Sequence, residues 1–210
     1  MTAAMTYTSL LEDISTYAER DDAPFSDQRP RFVMMAENRL AKEVRGLGNM
    51  QFVSSTLPVS NPVIAKPDRW RETVSFTITD SNGKKQTLMP RSIQYCRSFW
   101  PDASVTGTPR YYADYDFEHF YLAGTPNAAY AFELTYFDRP EPLSDTNETN
   151  WYTQYAPDLL LYACLLEAQP FLKLDARTEQ FQSLYDRALK MLANESMRRM
   201  SDNTQARREG

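Results

Sequence analysis

The side chains able to do chemistry are few and widely spaced. One histidine, His119, lies in Asp116-Phe-Glu-His-Phe-Tyr among alternating aromatics, and a single imidazole excludes every site that needs two. The two cysteines, Cys96 and Cys164, stand in apolar, helix-like contexts where a thiol is inert packing rather than a nucleophile. Two cysteines also exclude a disulfide framework and a four-thiolate zinc site. No Gly-x-Ser-x-Gly elbow supplies a serine to His119. Neither Gly-x-x-x-x-Gly-Lys nor Gly-x-Gly-x-x-Gly occurs in a chain with only 6 glycines, so a phosphate cradle is not expected. Asp114 and Asp116 read as solvated strand-edge carboxylates rather than metal ligands. A carboxylate pair distant in sequence is the catalytic arrangement that spacing leaves open. These residues predict no catalytic centre, no metal and no cofactor.

Two patterns bear on binding instead. Tyr111, Tyr112, Tyr115, Phe117, Phe120 and Tyr121 have the makings of a base-stacking platform. Such platforms interleave Lys and Arg, whereas the charges here are Asp114, Asp116 and Glu118, with Arg110 alone at the edge. Sheet core plus a protein interface is the better reading, with Tyr111, Tyr112, Tyr115 and Tyr121 as interface candidates. The second pattern is the end of the chain, where Arg198, Arg199, Arg207 and Arg208 face only Asp202 and Glu209 within a protein of net charge −5. That basic end is either a frayed terminus or an arm, mobile in the free chain, that becomes ordered only on docking against an acidic partner. The chain as a whole is too acidic to coat DNA.

The elements that position these residues follow from periodicity. The start, Met-Thr-Ala-Ala-Met-Thr-Tyr, has neither a basic region nor an apolar core and does not read as a secretory signal. The longest apolar run, Leu159 to Leu166, is far short of the about twenty residues a membrane span needs. A soluble protein of a reducing cytoplasm is expected. Tyr7, Leu10, Leu11, Ile14, Tyr17 and Ala18 predict a helix over 7–20, with Ser9 and Glu12 at capping-box spacing. Residues 21–26 read as a connection. A second helix is expected from about Asp27, with Pro30 in its first turn and Gly46 or Gly48 as a left-handed stop. Val74, Phe76 and Ile78 alternate with polar residues as a half-buried strand, and Asp80-Ser-Asn-Gly83 turns it back through Lys85 to Met89. Arg91–Trp100 reads as a short helix with Ile93, Cys96 and Trp100 on one face. A second β region spans 110–137, with a turn at Gly124–Asn127 and a period-two strand through Tyr130, Phe132, Leu134 and Tyr136. Residues 138–150 form a polar linker.

The C-terminal part is helical again. Leu159 to Leu166 leaves no polar face, so this helix is central, with Leu160 and Leu165 in the core. Asp175 is placed to cap a final helix carrying Leu184 and Leu189 on its packing face. Met197, Arg198, Arg199 and Met200 follow without a stop signal, so they extend that helix or peel away. The expected fold is α+β: an antiparallel bundle from the N-terminal helices (1–49) and C-terminal helices (139–195), an inserted β-rich lobe (50–138), and a terminal arm (196–210).

Several strings resemble a known family. Tyr130-Ala-Phe-Glu-Leu-Thr-Tyr-Phe-Asp-Arg-Pro-Glu-Pro-Leu, then Asn150-Trp-Tyr, then Ala156-Pro-Asp-Leu-Leu-Leu-Tyr-Ala-Cys-Leu-Leu-Glu-Ala-Gln-Pro-Phe-Leu-Lys and Tyr185-Asp-Arg-Ala-Leu189 look like the head-to-tail adaptor proteins of short-tailed double-stranded DNA phages. The resemblance implies a ring of about twelve copies beneath the portal. It implies a portal dock formed by Met197, Arg198, Arg199, Met200, Arg207 and Arg208. Tyr111, Tyr112, Tyr115 and Tyr121 would then meet the neighbouring subunit or tail proteins: nozzle and tail fibre. DNA would pass through without specific binding, no membrane would be involved, and the protein would reside at the head-to-tail junction of the virion after assembly in the host cytoplasm. A small phage enzyme with an unlocated carboxylate pair, and a nucleic-acid-binding module built on the Tyr-rich sheet, are the rival readings.

Overall fold

Helix α1 (Tyr7–Ala18) begins where side chains take over the backbone's orphan donors. The Thr6 hydroxyl accepts the Ser9 N–H at 3.1 Å, and Ser9 Oγ accepts the Thr6 N–H at 2.9 Å. The capping box is therefore Thr6–Ser9, one turn before the expected Ser9–Glu12 pair, because Tyr7 already belongs to the buried face. The computed structural model describes residues 5–44, 47–80, 82–172 and 175–206. They form two compact units, one from the residues up to Asn49 with those from Pro140 onward, the other Met50–Arg139. The expected connection at 21–26 contains a one-turn helix, α2 (Ala23–Ser26), which buries Phe25 completely. Helix α3 (Arg29–Glu43) carries Pro30 in its first turn and stops on an extended Val44 rather than on a glycine. Gly46 lies outside the described residues. Gly48 sits in a 3-10 turn (Leu47–Asn49) with the Trp151 indole where a side chain would be, so it serves close packing and not a left-handed stop.

The Met50–Arg139 unit is a two-sheet sandwich. One antiparallel sheet has the order β1 (Met50–Thr56), β10 (Ala131–Asp138), β3 (Trp70–Thr79), β4 (Lys85–Thr87). The other runs β2 (Val63–Ala65), β8 (His119–Ala123), β7 (Tyr111–Asp114), β5 (Met89–Pro90). Phe76, Ile78, Leu134 and Tyr136 meet Ile64, Tyr112, Phe120 and Leu122 between the sheets. Period-two geometry sends the alternate residues Ala113, Tyr121 and Ala123 to the opposite face, where Cys96 of α4 (Ile93–Phe99) covers them. Three expectations change here. Val74 is exposed, because the register steps from Ser75↔Thr135 to Thr73↔Tyr136 and leaves Val74 as the extra residue of a bulge. The strand returning from Lys85 ends at Thr87, and after a buried Leu88 the chain crosses to the second sheet as β5. Gly124–Asn127 is not a simple turn: β9 (Thr125–Pro126) pairs in parallel with β6 (Thr106–Gly107). Gly124 has φ +95°, and a Cβ there would meet the Thr108 carbonyl oxygen at 2.6 Å.

The 138–150 segment is polar but not loose. A Ser144–Asn147 bridge folds it back, Leu143 and Asn150 are buried, and Asn150 caps α5 (Trp151–Tyr155) in a reciprocal box with Thr153. Helix α6 (Pro157–Leu172) buries Leu159, Leu160, Leu161, Ala163, Cys164, Leu165 and Leu166, and α1, α3 and the last helix, α7 (Asp175–Ala206), pack against it. The helix starts at Asp175, whose side chain lies outside the described ones. Leu160 and Leu165 are core, whereas Leu184 and Leu189 are only partly buried at its margin beside Phe181, Tyr185 and Ala188.

Candidate functional site

Helix α7 does not end where its packing ends. No side chain from Ala193 to Arg199 is buried, yet the helix runs on to Ala206, roughly four turns beyond Leu192. The terminal segment thus extends the last helix. Met200 has a helical backbone, but its side chain, like all of Arg207 and Arg208, lies outside the described residues.

Two open grooves flank this part of α7 within the helical unit. One, about 350 Å³, is lined by Gly48, Trp151, Tyr155, Leu192, Glu195 and Arg199. The other, about 470 Å³, is lined by Tyr155, Asp158, Leu159, Met191, Leu192 and Arg198 among others. Tyr155 belongs to both, is 68% exposed, and stacks on Trp151 with centroids 5.8 Å apart. Met191 and Met197 are exposed on the same helix. Arg199 holds Glu195 at 2.5 Å across one turn, an exposed pair of the kind worth about 0.3–0.5 kcal/mol, so its guanidinium is readily exchanged onto another carboxylate. The result is a preformed helix that presents adaptable apolar anchors beside forked cations.

The β unit carries the remaining candidates. Tyr112 is buried between the sheets and Tyr121 beneath α4, which removes both from the interface set. Sequence alternation cannot reveal this, because both faces of the second sheet are covered. Tyr111 is half-buried, with Tyr95 and Phe99 edge-on at 5.3 and 4.8 Å, and Tyr115 is exposed. His119 has a structural partner: its Nδ1 lies 2.9 Å from Asp116 Oδ1. Burial pushes the thiols of Cys96 and Cys164 up, so both stay protonated at neutral pH. Among the described residues no three His, Cys, Asp or Glu gather to hold a metal ion, and no helix is long and apolar enough to cross a membrane.

Two half-buried ionisable side chains were missed by motif reading. Lys66 Nζ lies 3.1 Å from Asp114 Oδ1, 2.8 Å from the Asp116 carbonyl oxygen and 4.0 Å from the Trp70 ring centroid, so it ties β2 to the β7–β8 hairpin. Glu37 accepts the Asn150 side-chain N–H at 2.7 Å and the Leu143 N–H at 3.1 Å. Its only sequence signal is a carboxylate beside the apolar stripe of Val33, Ala36 and Leu40.

The chain thus combines a helical unit with an inserted two-sheet unit, and exposes grooves and aromatic side chains rather than a catalytic cluster among its described residues. The chain belongs to the SU10 adaptor protein family, whose model matches residues 5–208. It is therefore a phage adaptor protein, a structural component of the virion. Curated proteins offer no match to it.

Proposed function

We propose that the chain is a head-to-tail adaptor whose copies form a ring of about twelve beneath the portal, extend the DNA channel and give the tail its platform. The observation that carries this reading is the unburied end of α7, with Met197, Arg198 and Arg199 displayed on a helix. Because this segment is already helical, docking need not supply the ~1–2 kcal/mol per residue that ordering a coil would take. The chain's net charge of −5 suits a channel through which DNA slides without sticking. Met200, Arg207 and Arg208 complete the proposed portal dock, and Tyr111 and Tyr115 stay as candidates for contacts with neighbours or tail proteins.

Deleting residues 197–210 tests the dock. Folding should be unchanged, since no described side chain from Ala193 to Arg199 is buried. Binding to purified portal protein should weaken by at least about tenfold, or about 1.4 kcal/mol. Arg198→Glu with Arg199→Glu should give part of that loss, and added salt a moderate weakening. Portal binding by the shortened chain as tight as by the intact one would overturn the docking role.

A further inference from the structure

The β unit exposes two surfaces that its own fold leaves unused, and they are complementary. The first is the tip of the β7–β8 hairpin. Phe117 is 78% exposed, more than any other large apolar side chain among the described residues. The tip is nevertheless fixed: Asp116 Oδ1 accepts the backbone N–H of Glu118 at 2.8 Å and of His119 at 2.7 Å, and the Arg139 guanidinium lies 5.9 Å from the Phe117 ring. A rigid turn thus presents an aromatic ring flanked by the carboxylates of Asp116 and Glu118. The second surface is formed by Met89, Tyr95 and Phe99, all exposed. The Arg91 guanidinium sits 5.6 Å from the Tyr95 ring and 5.7 Å from the Tyr111 ring. Arg91, Arg97 and Arg110 are in no ion pair among the described residues.

We infer that Phe117 anchors a contact between copies of this chain, seating on the Met89–Tyr95–Phe99 surface of a second copy while Glu118, whose carboxylate is not held by the turn as that of Asp116 is, meets its Arg91. Apolar exposure with carboxylates on one side and apolar exposure with unpaired guanidiniums on the other match in both respects, and both halves lie on the same unit. A preorganised anchor also binds without losing conformational freedom. Nucleic acid fits the basic surface less well. Tyr95 and Phe99 meet Tyr111 edge-on at 84° and 85°, which closes the cluster on itself, and the acidic hairpin repels phosphate. The inference deepens the ring reading above and rests on it, since a contact between unlike patches repeats from copy to copy.

The test uses the full chain assembled on portal protein of the same virus, with photoreactive benzoylphenylalanine in place of Phe117. Cross-linking to α4 or β5 of a neighbouring copy is expected. Cross-linking to portal, a tail protein or DNA, or none at all, overturns the inference. Phe117→Ala and Arg91→Glu should each weaken association between copies at least tenfold, with thermal unfolding unchanged because both side chains are exposed. An equimolar mixture of the two should stop at pairs, one copy supplying the sound surface and the other the sound anchor. Should Phe117→Ala fail to fold, Glu118→Arg should restore association with Arg91→Glu copies. Variants that associate like the unaltered chain also overturn the inference. Portal binding by single copies is measured in parallel and should persist in every variant. If the unaltered chain does not bind portal, the adaptor reading fails, whatever residue 117 cross-links to.

Discussion

Glu37 clamps the 140–150 segment to α3 through Asn150 and Leu143, and burial pushes its carboxyl up to about 7, against the pull of those two donors. Unfolded, it titrates near its ordinary value of 4.5. The fold therefore favours the protonated form. Its contribution is fully present below pH 4.5 and is lost as pH rises through about 7. Glu37→Gln keeps an oxygen that accepts both bonds but cannot ionise. It should be more stable than the unaltered chain at pH 8, by on the order of 1–3 kcal/mol, with the gap closing toward pH 4.5. Glu37→Ala leaves the buried Leu143 N–H without its acceptor and the Asn150 amide with the Glu141 carbonyl oxygen alone, and should cost about 1–3 kcal/mol at either pH. Urea unfolding at pH 5 and pH 8 measures all three proteins. A Glu37→Gln difference independent of pH would show that this carboxyl does not titrate with folding.

Helix α6 carries the helical unit. Leu165→Ala should cost about 2–5 kcal/mol in chemical unfolding, because the cavity lies where α1, α3 and α7 converge. Leu160→Asp should abolish the folded helical unit by burying a carboxylate without a partner. Leu184→Ala, at the margin, should cost roughly 1 kcal/mol. Equal losses at Leu165 and Leu184 would mean the core is misplaced. The contrast also shows what the sequence reveals. An all-apolar stretch such as Leu159–Leu166 and a strict alternation such as Tyr130–Tyr136 declare both their element and their burial. The bulge at Val74 does not, since it depends on the register adopted by a strand some sixty residues away. The crossing at Leu88, the burial of Tyr121 beneath α4 and the pairing of Glu37 with Asn150 are likewise properties of tertiary neighbours. The end of α7 was ambiguous for a different reason: a helix without a buried face has no periodicity to read. Phe117 was visible as one aromatic among many, but its exposure was not, because the hairpin tip that displays it is set by the hydrogen bonds of Asp116.

The two units make different demands on the chain. The β unit is entered on β1 and left on β10, and these strands are antiparallel neighbours with Met50 opposite Phe137. Backbones so paired lie about 5 Å apart. Replacing residues 50–139 by a short Gly-Ser bridge should therefore leave the helical unit folded, with a single cooperative helical unfolding transition by circular dichroism. A product that is unfolded or aggregated would show that the helices need the sandwich. The excised sandwich should also fold alone, since its sheets and α4 bury their own core. The adjacency of the two junctions has a consequence for inheritance. A segment joined through two side-by-side strands can be exchanged between related genes by a pair of crossovers without disturbing the reading of the flanking helices. Lineages can then acquire a new contact surface as a cassette, while the residues around α6 drift only as far as their own packing permits.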